Sequence, residues 1–247
     1  MKKLAFLAIS ILAAATAFAQ SGRHPAAPND SFASDLQTLP VVANTTGVGG
    51  AQFQSYVAIL NPTSSSFSIT ASLFDATGTK KDAVITLAAG QQQTFSNFMS
   101  DVFGSTGGGA VRLKAADPSN RFIVSSAVQT GNFSTSVPAI EFAGSNSRSF
   151  APGINVNSQT RTNVGCFNQA DAANSIKATV LDSTGKLTIG SVTLNLPAKA
   201  WGQTAITSVV SDGYVQFDPS DSAVCYAVVV DNITNDGLFI SAAEYRP

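Results

Sequence analysis

Residues 57–78 align without a gap onto residues 164–185. Eight paired positions carry the same residue: Val57 with Val164, Asn61 with Asn168, Ser68 with Ser175, Ile69 with Ile176, Ala71 with Ala178, Asp75 with Asp182, Thr77 with Thr184 and Gly78 with Gly185. Biased composition alone would supply about two such matches in this window. The chain therefore reads as a tandem duplication, and whatever unit folds must fold twice. In the first copy Phe67, Ile69, Ala71 and Leu73 alternate with Ser68, Thr70 and Ser72; in the second, Ile176, Ala178 and Val180 alternate with Ser175, Lys177 and Thr179. A period of two sends one set to a core and the other to water, as in a half-buried strand. Further strands are expected near 54–60, 83–88, 92–97, 109–114, 121–129 and 134–142, with partners in the second copy. Turn-rich pieces separate them at the spacing of an antiparallel sandwich. Residues 97–103 offer one short helical turn. The expected fold class is all-β, two tandem antiparallel β-sandwich domains.

The ends and joints of these copies follow from composition. Residues 1–19 combine Lys2 and Lys3, an apolar run from Leu4 and the small-residue site Ala17-Phe18-Ala19, the order of a secretory signal peptide cleaved after Ala19. Residue 20 is Gln rather than Cys, which disfavours a lipid anchor, and no later stretch suits a membrane-spanning helix. The expectation is a secreted chain, periplasmic or extracellular, without a transmembrane anchor. Residues 20–38 are polar and rich in Pro and Ala, and read as a flexible leader. The first sandwich then spans 39–142, a linker 143–149, and the second sandwich 150–247. Without Lys2 and Lys3, 12 basic residues face 15 acidic ones, a net charge of −3. The basic residues are scattered, which argues against nucleic acid as a partner.

Cys166 and Cys225 are the only cysteines. Export favours a disulfide between them, worth about 4 kcal/mol in the chain-entropy model, with two buried inert thiols as the alternative. Their first-copy counterparts are Ile59 and, aligning 122–124 with 226–228, Arg121. An arginine counterpart would put Cys225 near an exposed strand end.

Several residue groups look chemical and have plainer readings. Asp75-Ala-Thr-Gly78 and Asp182-Ser-Thr-Gly185 resemble the paired Asp-Thr-Gly of aspartic proteases, but an extra residue separates the carboxylate from Thr-Gly. Each follows an alternating strand, where Asp caps a hairpin turn and Gly takes positive φ. Residues 104–109 have the glycine content of a phosphate cradle without its Gly-Lys-Ser/Thr ending, and read as a flexible connection. Residues 218–221 and 231–237 hold loop oxygens that would bind calcium only if the loops converged; Asx turns explain them equally. Glu141 and Glu244, the only glutamates, occupy equivalent places near each copy's end, where a local hydrogen bond is the preferred role over a glycosidase pair. His24, the sole histidine, lies in the leader, so neither a triad nor a His/Cys metal cluster is expected. Trp201, which replaces Gln92, would stack on a sugar ring if exposed or seal a core edge if not.

An opening like Leu39-Pro-Val-Val-Ala, a strand ending in Asn61-Pro62, then Asp75-x-x-Gly78, Leu87-Ala-Ala-Gly90 and Gly108-Gly109-Ala110-Val111 resembles uncharacterised secreted bacterial modules. These are immunoglobulin-like β-sandwiches, often in tandem on extracellular or cell-envelope proteins. The resemblance covers most of the first copy. It is weaker in the second, which keeps Asn168 but has Gln169 for Pro and lacks the Gly-Gly-Ala run. It implies turn chemistry at Asn61, Asp75, Gly78, Asn168, Asp182 and Gly185, and brings no catalytic residues and no cofactor. The expected role is non-catalytic adhesion, scaffolding, or glycan or protein binding at the cell surface. One alternative is a fibre subunit assembled by edge pairing or by strand donation from residues 31–38. The least favoured is a hydrolase with Asp75, Asp182, Glu141 and Glu244 at the interface between copies.

Overall fold

The alternating segments form antiparallel β-sandwiches in a computed structural model that describes residues 33–141 and 146–244. The expected signal peptide, His24, leader residues 20–32 and linker residues 143–145 lie outside the described residues.

The first sandwich contains β1 (Leu36–Thr46), β2 (Gln52–Leu60), β3 (Phe67–Phe74), β4 (Lys80–Leu87), β5 (Gln92–Phe95), α1 (Phe98–Phe103), β6 (Gly107–Ala115), β7 (Ile123–Thr130), β8 (Phe133–Ser136) and β9 (Ile140–Glu141). Its strands run β4-β3-β6-β1-β2-β7-β8, with β5 added to β2 and β9 to β1. β1 pairs with β6 along most of its length and with β2 from Asn44 onward, so it stitches both layers together. The second sandwich contains β10 (Ser149–Val156), β11 (Thr160–Asn168), β12 (Asn174–Leu181), β13 (Thr188–Leu196), β14 (Trp201–Ile206), β15 (Val210–Pro219), β16 (Ala223–Asp231), β17 (Gly237–Ser241) and β18 (Ala243–Glu244). Here the layers are separate sheets, β13-β12-β15-β10-β18 and β14-β11-β16-β17.

Each sandwich closes over its own core. Leu39, Ile59, Ile69 and Leu113 are fully buried in one; Ile154, Val164, Ile176 and Phe217 in the other. Truncating such a side chain to Ala typically costs about 2–5 kcal/mol. The short helix α1 plugs the first core with Phe98, Met99 and Phe103. The Asn97 side chain accepts from the Ser100 N–H, and left-handed Gly104 ends the helix. No helix stands between β14 and β15 in the second sandwich.

Three expectations are corrected. The leader does not extend to Thr38: Leu36 to Leu39 already pair with β6, and buried Gln37 donates to the Phe122 carbonyl at 2.7 Å. Polar composition conceals this strand because its stability comes from backbone pairing and buried hydrogen bonds. Likewise Ser149, expected in the linker, begins β10 and pairs with Phe217. Cys225 corresponds to Val124 rather than Arg121, because Cys166 faces Cys225 in the register in which Ile59 faces Val124. It is therefore buried in the second core, two residues inside the start of β16.

Candidate functional site

Asn61 directly follows β2 and Asn168 ends β11, both with fully buried side chains. The Asn61 amide donates to the carbonyls of Ser65 and Ala88, each at 2.8 Å, while its oxygen accepts from Thr63 N–H and hydroxyl. Asn168 repeats this on Ala172 at 2.8 Å and Pro197 at 2.7 Å, accepting from Ala170 N–H. Both amides act as internal struts that lock a loop to a hairpin, since their donors and acceptors are taken by neighbouring backbone.

The two Asp-x-Thr-Gly turns are equally self-contained. Asp75 accepts from the N–H groups of Thr77 and Thr79 at 2.8 and 3.0 Å, and Gly78 sits at φ 82°. Asp182 accepts from the Thr184 hydroxyl and the N–H groups of Lys186 and Leu187, with Gly185 at φ 70°. Partial burial works to raise the Asp75 pKa, but hydrogen bonds from Thr77, Thr79 and Gly78 outweigh it and hold the group below its usual range. The Thr184 hydroxyl, followed by backbone N–H groups, does the same for Asp182.

Glu141 accepts from the Ser34 hydroxyl at 2.8 Å and stands opposite Gln37, while Glu244 stands opposite Ser149. The shallow cleft that includes Glu244 is lined by Ile140, Ser147, Ser149, Cys225 and Ala242, with no second carboxylate. The acidic loops lie at opposite ends of β16, the nine-residue strand running from Ala223 to Asp231. Roughly 30 Å of strand separates them, so they do not converge. Asp218 pairs with Arg148 at 2.6 Å; in the other loop Arg161 donates to the side-chain oxygens of Asn232 and Asn235. Cys166 and Cys225 form a disulfide across the adjacent strands β11 and β16.

Where the chain does bring distant residues together is between the sandwiches. The outer face of the β14-β11-β16-β17 sheet carries Phe167, Trp201, Gln203, Tyr226 and Phe239, and the first sandwich packs against its aromatic residues. Phe167 meets Phe74 with ring centroids 5.2 Å apart, and the Arg112 guanidinium lies 5.8 Å from both centroids. Burial pulls the Arg112 pKa down, while the nearby Asp171 charge pulls it up. Half-buried Trp201 packs its ring onto Gly108, where an added Cβ would come within 2.7 Å of the indole. Its indole N–H donates to the Tyr226 hydroxyl at 3.1 Å, which donates to Gln203 at 3.0 Å. Desolvation in this position pushes the Tyr226 pKa well above its ordinary range, against the Trp201 hydrogen bond.

Backbone contacts complete the joint. The Trp201 N–H donates to the Asp75 carbonyl at 3.0 Å, so the turn read from sequence as a plain hairpin cap also docks the second sandwich. The Thr135 hydroxyl donates to the Gly237 carbonyl at 2.7 Å, setting β8 beside β17. Trp201 is thus a seam residue packed on the first sandwich. The segment 104–109, expected as a flexible connection, enters β6 at Gly107, and its glycines admit Trp201 and Phe74.

Sequence reasoning missed Arg112, Phe74, Phe167 and Tyr226. A signal was present in β16: residues 223–230, AVCYAVVV, form an unbroken apolar run. Such a run marks a strand covered on both faces.

No protein-family model and no curated protein matches the chain. Among solved structures it is similar to Bacteroides uniformis β-glucuronidase 2 covalently bound to cyclophellitol-6-carboxylate aziridine, at 12% identity and a TM-score of 0.18, over 89% of this chain and 27% of that one. A second structure, Bacteroides uniformis β-glucuronidase, gives 12% identity and a TM-score of 0.18, over 88% of this chain and 27% of that one. A calcium-binding mutant of β-glucuronidase 2 gives 13% identity and a TM-score of 0.17, over 97% of this chain and 31% of that one. The chain thus spans less than a third of the length of these enzymes, and likeness at these TM-scores carries no argument about fold or activity.

Proposed function

We propose that this is an exported, non-catalytic protein of the cell envelope or extracellular space, built by duplication of one sandwich and acting in adhesion, scaffolding or binding of glycans or proteins. One observation carries the reading: the side chains that look reactive in sequence are consumed by the fold. Asn61, Asn168, Asp75, Asp182 and Glu141 each commit at least one polar side-chain atom to hydrogen bonds with backbone or side chains of the fold. The shared register of Ile59–Val124 and Cys166–Cys225 supports duplication. A disulfide fits an oxidising compartment, and among the described residues no helix is long and apolar enough to cross a membrane.

The chain from Gln20 onward, purified and oxidised, is expected to leave a panel of glycosidase, esterase and protease substrates untouched and to give reproducible binding on a glycan array or to defined surface proteins. Turnover that disappears in Asp75→Asn or Glu244→Gln would sink the proposal. Donation of residues 31–38 to a neighbour is not supported, because Leu36 to Thr38 already pair within this chain's own sheet.

A further inference from the structure

β13 is the outermost strand of its sheet, paired on one side only, with β12. Its nine residues, TIGSVTLNL, include no charge and no proline. An unpaired strand edge is a template for another strand, and soluble sandwiches ordinarily guard it with charges, prolines or a covering element. The matching edge of the first sandwich has such guards. β4 opens with Lys80, Lys81 and Asp82, all exposed, and Asp101 and Val102 of α1 lie beside its residues 83–86. β13 has neither device; its pairing with β12 shifts between Val180 and Leu181, which confines the regular edge to residues 190–196. Exposed Lys186 stands two residues before the strand; the flank is otherwise apolar, with Leu187 58% exposed and Val209 75% exposed next to Ser208, which lies against Gly190. The edges β8 and β17 are set against each other in the seam, and β9 and β18 are two residues long. β14 is also uncharged and paired only with β11, but it has six residues and starts in the seam at Trp201, which leaves β13 as the longest neutral edge among the described residues.

We infer that this edge is a self-association surface, at which a second copy of the chain adds its own β13 antiparallel and joins two five-stranded sheets into one. The inference rests on the interaction-protein reading above and names its partner. The strand is self-complementary. With Val192 on the twofold axis, inward Leu194 lies opposite inward Gly190, and exposed Thr193 lies opposite exposed Ser191. Hydroxyl faces hydroxyl on the outer surface, a favourable cross-strand pair, and no charge meets its like. β13 itself offers a charged partner strand no countercharge, exposed Lys177 of β12 standing one strand behind Thr193, whereas the chain's own neutral strand is matched to it.

Sedimentation velocity over a concentration series of the chain from Gln20 tests this. The wild type is expected to show a reversible monomer–dimer equilibrium. In a Lys177→Thr background, used for both variants because Lys177 faces residue 193 within the chain, Ser191→Lys/Thr193→Lys sets lysine against lysine at both symmetry-related positions and weakens the dimer by about tenfold or more, with far-UV circular dichroism unchanged. Ser191→Lys/Thr193→Glu sets lysine against glutamate and restores association. A wild type that stays monomeric, a dimer indifferent to the double lysine, or no recovery with the Lys/Glu pair overturns the inference. Substrate turnover would instead strike the functional reading, so the two failures are distinguishable.

Discussion

Gly78 and Gly185 close turns of the same design, at φ 82° and 70°, but only the first lies in the seam between the sandwiches. Alanine at either position carries the left-handed backbone penalty of about 1–2 kcal/mol. A stiffer unfolded chain returns about 0.4–1 kcal/mol of that. Gly185→Ala is therefore expected to cost about 1 kcal/mol. Its new Cβ would fall 2.7 Å from the Tyr214 hydroxyl, the far end of a side chain that can swing aside. At Gly78 the Cβ would fall 2.2 Å from the Ala198 carbonyl oxygen, which is backbone. Relieving that clash moves the Ala198–Ala200 segment away from Asp75, and Trp201 N–H loses its 3.0 Å bond to the Asp75 carbonyl. An orphaned backbone pair adds about 1–3 kcal/mol, so Gly78→Ala should exceed Gly185→Ala by about 2 kcal/mol. Urea titration gives the difference, read as a shifted midpoint at constant slope. Trp201 is the only tryptophan, so emission reports on the seam directly. Gly78→Ala should red-shift the folded-state emission, while Gly185→Ala leaves it in place. Equal costs with unaltered emission in both variants would refute the docking role assigned to the Asp75 turn.

Cys166→Ala/Cys225→Ala, which opens a loop of sequence separation 59, should lose about 4 kcal/mol in thermal or urea unfolding. Cys166→Ile/Cys225→Val, borrowing the Ile59–Val124 pair of the first sandwich, should recover part of that loss. Asn61→Ala and Asn168→Ala should each cost about 2–4 kcal/mol in urea unfolding, because buried carbonyls and N–H groups lose their partner; costs below half of that would show that water replaces the amide. Asp75→Asn tests the lowered carboxyl pKa: stability from a depressed Asp is present above its unfolded value of about 3.9 and fades as pH falls through the folded one. The wild type should therefore melt above the variant at neutral pH, and the gap should close only at pH below about 3.9.

The strands legible in sequence are those whose two faces meet different surroundings. In β3, Phe67, Ile69, Ala71 and Leu73 are buried while Ser68, Thr70 and Ser72 are not, and β12 repeats the pattern. Turn residues were legible for a local reason: the Asp75 and Asp182 carboxylates and left-handed Gly78 and Gly185 shape turns within five residues of themselves, whereas the docking of the first turn on residues 198–201 has no local trace. Asn61 and Asn168 were found by their repetition, yet their partners at Ala88 and Pro197 are too distant in sequence to read. The beginning of β1 was hidden altogether. Gln37 and Thr38 are polar and buried, and only pairing with β6 and β9 accounts for their burial.

The seam was illegible for a different reason, and it bears on how the molecule works. A sandwich sheet ordinarily turns one face to water, and the alternation seen in β3 and β12 gives no sign that β11 and β16 depart from that rule. In β16, Cys225 and Ala227 join the core while Tyr226, between them, is fully buried on the opposite face. Gly165 makes room for the Tyr226 ring; an added Cβ there would come within 2.3 Å of it. The first sandwich therefore does for this sheet what a second core layer would do, with Phe74, Ala110 and Arg112 acting as the cover. Exposing Phe167 and Tyr226 alone would forfeit about 1.5–3 kcal/mol each, which favours the docked arrangement. A ligand or partner consequently meets one jointed body, with its aromatic face spent on the joint and β13 as the long neutral edge still open.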